Sequence, residues 1–225
     1  MKGLSSNQLK ILALIAMTCD HVGKQLLPQY EILPIIGRLA FPIFAYMIAE
    51  GCRYTRNRKK YFLTMFALAF VCQVVYFVAM GSLYQCVLVT FTLAIGLIYA
   101  VDYAMKQGTV KGWSLAGMAF LGAYFICKVL PDILMHTDFE IDYGIWGGLL
   151  SVFVYLANNK TQKIALATAT LILLSFSMGG NQWYCLFTIP LLSLYNGKRG
   201  QANLKNLFYI YYPAHLVGIY LIDLL

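Results

Sequence analysis

Residues 9–27 read Leu-Lys-Ile-Leu-Ala-Leu-Ile-Ala-Met-Thr-Cys-Asp-His-Val-Gly-Lys-Gln-Leu-Leu. As a helix this stretch is about 28 Å long at 1.5 Å per residue, close to the roughly 30 Å of a bilayer's hydrocarbon core. Its first half is unbroken apolar sequence from Ile11 to Met17, and its second half holds Asp20 beside His21. Apolar runs of comparable length follow at 34–51, 60–80, 86–105, 112–130, 143–158, 163–178, 183–196 and 206–224, separated by Gly, Pro, Asn and charge clusters. This pattern predicts an all-α fold, a polytopic transmembrane helix bundle of about nine spans forming one integral membrane domain over residues 1–225. The sixth, seventh and eighth runs fall at or below the crossing length, so a re-entrant or merged pair is an alternative there. The first run is longer than the apolar core of a signal peptide and no small-residue cleavage site follows it, so residue 1 is expected to stay in the mature chain.

Composition supports the same reading. Of 225 residues 60% are apolar and 12% charged, where a soluble domain averages about 45–50% and about 25%. The 17 basic and 9 acidic side chains cannot cover a water-facing surface of this size, and disordered, collagen-like, coiled-coil and secreted disulfide architectures fail on the same figures. The formal charge of +8 does not mark a nucleic-acid partner, because the cations sit in short breaks rather than on one face. They collect in alternate breaks. One side holds Lys2, Lys10, Arg53, Arg56, Arg58, Lys59, Lys60, Lys106, Lys111, Lys160, Lys163, Lys198, Arg199 and Lys205. The other holds Lys24 and Lys128, with Asp132, Asp138, Glu140 and Asp142. The positive-inside rule then predicts a multi-pass protein with a cytoplasmic N-terminus and, after nine crossings, an extracytoplasmic C-terminus. Cys19, Cys52, Cys72, Cys86, Cys127 and Cys185 are scattered without a CxxC pair or a metal-like cluster with His, and read as small core residues.

An ionisable group inside a span costs about 2.5–3.5 kcal/mol or more, so each one requires a partner, a wet cavity or a function. Asp20 and His21 lie about 17 to 18 Å along the first span from Leu9, and Arg38 lies about a turn past Pro34 in the second, which returns through a short connection. The three are therefore expected at similar depth. Asp20 with Arg38 reads either as a buried ion pair locking two helices or as part of a site. His21 is the side chain suited to taking and returning a proton near neutral pH, with a carboxylate neighbour to orient it. His215, near the middle of the last span, reads either as a second proton carrier or as a donor to a carbonyl freed by Pro213.

The run Arg53-Tyr54-Thr55-Arg56-Asn57-Arg58-Lys59-Lys60 reads first as a topological anchor in contact with lipid phosphate. The alternative is that Arg53, Arg56, Arg58 and Lys59, with Lys198 and Arg199 of Asn196-Gly197-Lys198-Arg199-Gly200, bind the phosphates of a nucleotide-bearing donor. Gly197 and Gly200 would then let the backbone approach a phosphate.

Several strings in order resemble the TraX family of membrane proteins: Cys19-Asp20-His21-Val22-Gly23; Ile36-Gly37-Arg38-Leu39-Ala40-Phe41-Pro42; Ile48-Ala49-Glu50-Gly51; Thr55-Arg56-Asn57-Arg58-Lys59-Lys60-Tyr61; Asp142-Tyr143-Gly144-Ile145; Leu194-Tyr195-Asn196-Gly197-Lys198-Arg199-Gly200; and Tyr211-Tyr212-Pro213-Ala214-His215. That family is named for acetylating the N-terminal amine of conjugative pilin and is similar to multi-spanning acyltransferases that use cytoplasmic acyl-CoA. The Tyr-rich ending before His215 is more loosely similar to the last helix of the type-3 membrane acyltransferases. The resemblance implies an intramembrane histidine, here His21, as general base or acyl carrier, with Asp20 and Arg38 as neighbours and His215 as a second carrier. It implies acetyl-CoA as acyl donor and no metal, with membrane lipids, acyl-CoA and an amine- or hydroxyl-bearing acceptor as partners. The acceptor itself does not transfer from the family.

Two other functions fit the same residues. One is a proton-coupled small-molecule transporter with Asp20, His21 and His215 as a relay. The other is an accessory subunit whose polar groups only set helix packing.

Overall fold

The computed structural model describes residues 3–201 and 204–223. Lys2, one of the cations used to orient the chain, lies outside the described residues, as does the side chain of Lys205. In chain order the helices are α1 (Ser6–Gln25), α2 (Ile32–Gly37), α3 (Ala40–Tyr54), α4 (Arg58–Met80), α5 (Val87–Gln107), α6 (Val110–Tyr124), a π-helical turn over Phe125–Val129, α7 (Leu130–Ile133), α8 (Gly144–Leu156), α9 (Lys160–Met178), a 3-10 helix over Gly180–Phe187, α10 (Thr188–Ser193) and α11 (Lys205–Asp223). Among the described residues there is no strand beyond two isolated parallel bridges, Leu4 with Tyr195 and Gln85 with Ile141. The all-helical architecture expected from the sequence is observed among the described residues.

Short polar residues start the long helices. Ser5 Oγ accepts the Gln8 amide at 3.4 Å while Gln8 Oε1 accepts the Ser5 amide at 2.9 Å, a reciprocal cap that begins α1 three residues before the apolar run. Asn57, Thr109 and Asn159 cap α4, α6 and α9 in the same one-sided way, each accepting the amide three residues on.

The span count differs from the nine expected. Among the described residues five helical stretches are long and apolar enough to cross a membrane: Ile32–Tyr54, Arg58–Val78, Val87–Gln107, Val110–Ile133 and Lys160–Met178. The run expected at 183–196 forms no single helix. Gly179 and Gly180 both take left-handed φ values, 69° and 53°, and turn the chain into the 3-10 helix and then six-residue α10. The run at 143–158 yields only the 13 residues of α8, about 20 Å, which is short for a straight crossing. α1 and α11 are 20 and 19 residues long but fall outside the five, α1 carrying Lys10, Asp20, His21 and Lys24 along its length.

The chain packs as two compact units, one of Met1–Met47 with Asn159–Leu225 and one of Ile48–Asn158. In the first, α1 packs on α2 and α11, while the 3-10 helix packs on α2 and α9. Its core includes Leu9, Ala13, Leu171 and Leu174, and buried Tyr46 meets Tyr195 edge-on at 5.9 Å. In the second, α5 is central and packs on α4, α6 and α8 through Phe91, Ile95 and Ile98. α4 turns Phe66, Phe70, Val74 and Phe77 outward along one stripe, and α6 exposes Met118 and Leu121. Exposed apolar faces of this extent match hydrocarbon rather than water, and mark a membrane protein.

Candidate functional site

α1 and α11 bring their two histidines together. Thr18 and His21 are three residues apart on α1, and Tyr211 and His215 four apart on α11, so each pair lies on one helix face. His21 Nδ1 and His215 Nε2 are 2.7 Å apart, and their rings stack at 4.9 Å with 22° between planes. His215 Nδ1 is 3.0 Å from the Tyr211 carbonyl oxygen. A carbonyl only accepts, so His215 carries its proton on Nδ1 and, when neutral, presents a lone pair on Nε2. His21 then donates from Nδ1, which leaves the lone pair of His21 on Nε2. The carbonyl that Pro213 leaves without an amide is Tyr209's, four residues back; His215 bonds the Tyr211 carbonyl, two residues further on, instead. Tyr211 also stacks on His215 at 5.4 Å, and its hydroxyl lies 2.7 Å from Thr18 Oγ1. Because Thr18 gives its own proton to the Leu14 carbonyl at 2.9 Å, Tyr211 is the donor in that bond.

Asp20 and Arg38 meet as the sequence leads one to expect. Lys24 Nζ lies 2.6 Å from Asp20 Oδ2, and Arg38 Nη2 lies 3.6 Å from Asp20 Oδ1, an ion pair beyond hydrogen-bond length. α1 reaches α2 this closely because side chains are absent at two points of contact. A Cβ on Gly37 would run into the Asp20 side chain, and one on Gly23 would stand 2.6 Å from Pro34 Cδ. Gly37→Ala therefore forces Asp20 away from Arg38, and we expect about 1–3 kcal/mol of destabilisation, read as a lower thermal midpoint in detergent.

Gln182 completes this cluster, and in the sequence its only mark is a polar break after Gly179-Gly180. It is 3% exposed on the 3-10 helix, its amide bonded to the Gly179 carbonyl at 3.1 Å and its own carbonyl taking the Ser175 hydroxyl at 3.3 Å. Arg38 Nη1 donates to Gln182 Oε1 at 3.3 Å. Three buried atoms here have no hydrogen-bond partner: Asp20 Oδ1, Arg38 Nε and Gln182 Nε2. Leaving such groups unmet costs about 1–3 kcal/mol each, and three of them coincide here.

Lys198 and Arg199 lie in the same unit, on an exposed turn bound to the start of α1. The Lys198 and Arg199 carbonyls accept the amides of Ser6 and Asn7 at 2.8 and 3.1 Å, and Leu4 pairs with Leu194 and Asn196. With the Gln8 amide on Ser5, the first amides of α1 are occupied and offer no anion site. Gly200, at φ 93°, leaves room for Ser5 Oγ, which would stand 3.0 Å from a Cβ there. The glycine thus serves the helix cap rather than a phosphate.

The remaining basic candidates belong to the second unit. Arg53 donates to the Tyr155 and Ala157 carbonyls, the latter at 3.0 Å. Arg58 is ion-paired with Asp102, which also takes Lys106 Nζ at 2.7 Å and the Tyr155 hydroxyl at 2.7 Å. Asp102 and Tyr155 were not singled out from the sequence, although Asp102 and Lys106 have the i,i+4 spacing of a helical ion pair. Arg56 and Lys59 are exposed. For a phosphate-bearing donor the exposed cations Arg56, Lys59 and Lys198 have suitable chemistry, while the Arg53 and Arg58 guanidiniums already serve protein acceptors.

In the same unit, 82–86 is fastened to 138–142. Asp138 accepts the Ser82 hydroxyl and the Leu83 amide, the latter at 2.8 Å, and Tyr84 donates to Asp142 Oδ1 at 2.8 Å. Thr90 donates to the Asp142 carbonyl, and Tyr143 follows at φ 60°, leading into α8. Burial and then the Asp142 carboxylate push the Tyr84 phenol well above its ordinary range, so it stays a donor in alkali. The Ser82 and Leu83 hydrogen bonds hold Asp138 below the usual carboxylate range. A depressed carboxylate stabilises above its unfolded pKa of about 4 and is lost as pH falls through its folded value. Amide exchange at 82–85 is expected to speed up below pH 4 in wild type, and in Asp138→Asn to be fast already at pH 7.

Comparison with known proteins places the chain. It is 25% identical to a probable fimbrial assembly protein, FimC serogroup H1, of Dichelobacter nodosus, over 94% of this chain and 93% of the relative. A shorter stretch of 38 residues, 17% of this chain and 15% of the relative, is 55% identical to an uncharacterized protein of Rickettsia prowazekii (strain Madrid E). No solved structure matches it significantly. The pattern of the family described as TraX protein matches residues 5–223, so the chain belongs to the TraX family.

Proposed function

We propose that this protein is a membrane-embedded acyltransferase that moves an acetyl group from acetyl-CoA to an amine or hydroxyl of an acceptor at the membrane. The observation that carries the reading is the 2.7 Å bond between His21 and His215, with the far side of His215 pinned to a carbonyl. That arrangement fixes tautomers. It leaves His21 Nε2 as the base, and a proton taken there is stabilised because His21 Nδ1–H donates to His215 Nε2. His215 acts as the orienting partner. Arg38, beside Asp20, steadies negative charge developing on the acyl oxygen.

The donor, a substrate, supplies an acyl carbon activated by sulfur. Its phosphates suit the exposed Lys198 and Arg199 turn, which caps the same helix that carries His21 about 22 Å along its axis. Arg56 and Lys59, with Arg53 and Arg58 behind them, form a second cationic candidate in the other unit. The family's link with pilin acetylation and the fimbrial name of the Dichelobacter relative support an acceptor among surface-fibre components. The basic segments face the cytoplasm of a bacterial inner membrane in this reading, in accord with the positive-inside rule.

The test is turnover by purified protein in nanodiscs, with carbonyl-labelled acetyl-CoA and a membrane extract as acceptor source. Release of CoA thiol with label passing to extract components supports the transferase. Proteoliposomes that move a solute down a pH gradient and leave acetyl-CoA intact overturn it in favour of a proton relay.

A further inference from the structure

We infer that Gln182, together with Arg38, forms the donor pair that receives the acyl carbonyl oxygen, an assignment that rests on the acyltransferase reading. Gln182 is nine-tenths buried and its backbone is anchored on both sides, so its side chain is held in place rather than left in solvent. Its Oε1 already accepts from Arg38 Nη1, which fixes the orientation of the amide and leaves Nε2 as a donor. Gln182 Nε2 and Arg38 Nε are both buried N–H donors without an acceptor, on two side chains bonded to each other. An oxygen that gains negative charge is the partner this pair lacks. Asp20 is shared between Lys24 and Arg38, so the cluster holds one positive charge more than its carboxylate neutralises, which suits an oxygen that becomes negative.

The step balances as follows. The acceptor's lone pair forms a bond to the acyl carbon, and the carbonyl π pair moves onto oxygen, where Arg38 Nε–H and Gln182 Nε2–H hold it. When that pair returns, the C–S bond breaks and its electrons leave on the CoA sulfur. The acceptor's proton, taken at His21 Nε2, passes to that sulfur. Arg38 and Gln182 change no covalent bonds; their contribution is greatest while the charge is on oxygen, so it appears in kcat rather than KM.

Isotope-edited infrared spectroscopy of ¹³C-carbonyl acetyl-CoA bound to the nanodisc protein reads the contact directly. Release of CoA thiol to hydroxylamine, after subtraction of the uncatalysed reaction, gives kcat. We expect the bound carbonyl stretch to lie below its solution value in wild type and to return toward it in Gln182→Leu. We also expect kcat to fall about 10²–10³-fold with KM within about threefold. Gln182→Glu, which keeps an acceptor for Arg38 but lacks the N–H donors, loses as much and covers the case in which the leucine variant fails to fold. A stretch or a kcat unmoved by both substitutions overturns the assignment while the transferase reading stands. Wild-type protein that binds no acetyl-CoA overturns both.

Discussion

We expect His21→Ala to lower the proposed acetyl transfer by about 10³-fold, within the 10²–10⁴ range by which a positioned base accelerates proton transfer. The loss is expected in kcat, because in the proposed reaction His21 Nε2 acts on the acceptor's proton and the cations proposed for the phosphates are elsewhere. His21→Gln separates chemistry from packing: it keeps a donor for His215 Nε2 but has no basic nitrogen, and the loss is expected to match that of alanine. His215→Ala is milder, about 10–100-fold, since it removes the group that orients His21 and leaves the base in place. Thermal midpoints of all three stay near wild type, both imidazoles being half-buried rather than core groups. Rates of labelled acetyl transfer by purified protein check this, and a His21→Ala rate within threefold of wild type removes His21 from the chemistry.

Asp102→Ala gives the largest expected loss of stability, about 2–3 kcal/mol. One carboxylate serves Arg58, Lys106 and the Tyr155 hydroxyl, and its side chain is only 14% exposed. Removing it leaves a guanidinium and a phenol without their shared acceptor, which costs more than the pair itself is worth. The figure is set below the 3–5 kcal/mol typical of fully buried pairs because Arg58 is 37% and Lys106 64% exposed. Over a chain of this length the change corresponds to a melting temperature lower by about 5–10 °C. Differential scanning fluorimetry in detergent reads it, and a shift under 1 °C shows the network to be surface decoration. Asp102→Asn, which keeps an acceptor oxygen for Tyr155, is expected to recover about half of the loss.

Composition and the repeated apolar runs were enough to give an all-helical membrane architecture, because the bilayer demands internally bonded backbone and a chain with so few charges has no other solvent. The same reasoning singled out Asp20, His21, Arg38 and His215, since ionisable groups in apolar runs are conspicuous, and the ordered strings around them resembled the family that the full-length match then showed. The number of spans was less legible. Hydropathy treats 183–196 as one apolar run, whereas two left-handed glycines and the tight 3-10 turn after them decide its path.

What only the tertiary structure decided is which atoms meet. His21 and His215 are 194 residues apart, and no spacing rule reveals that one nitrogen of each shares a proton while the other nitrogen of His215 is held by a carbonyl. Gln182 is an ordinary polar residue in sequence; it becomes notable once burial removes water from it and leaves its amide hydrogens unmet beside Arg38. Sequence determines which groups are costly in a membrane, because that cost belongs to each residue singly. Their pairing depends on distances between distant segments, which exist only once the chain has folded.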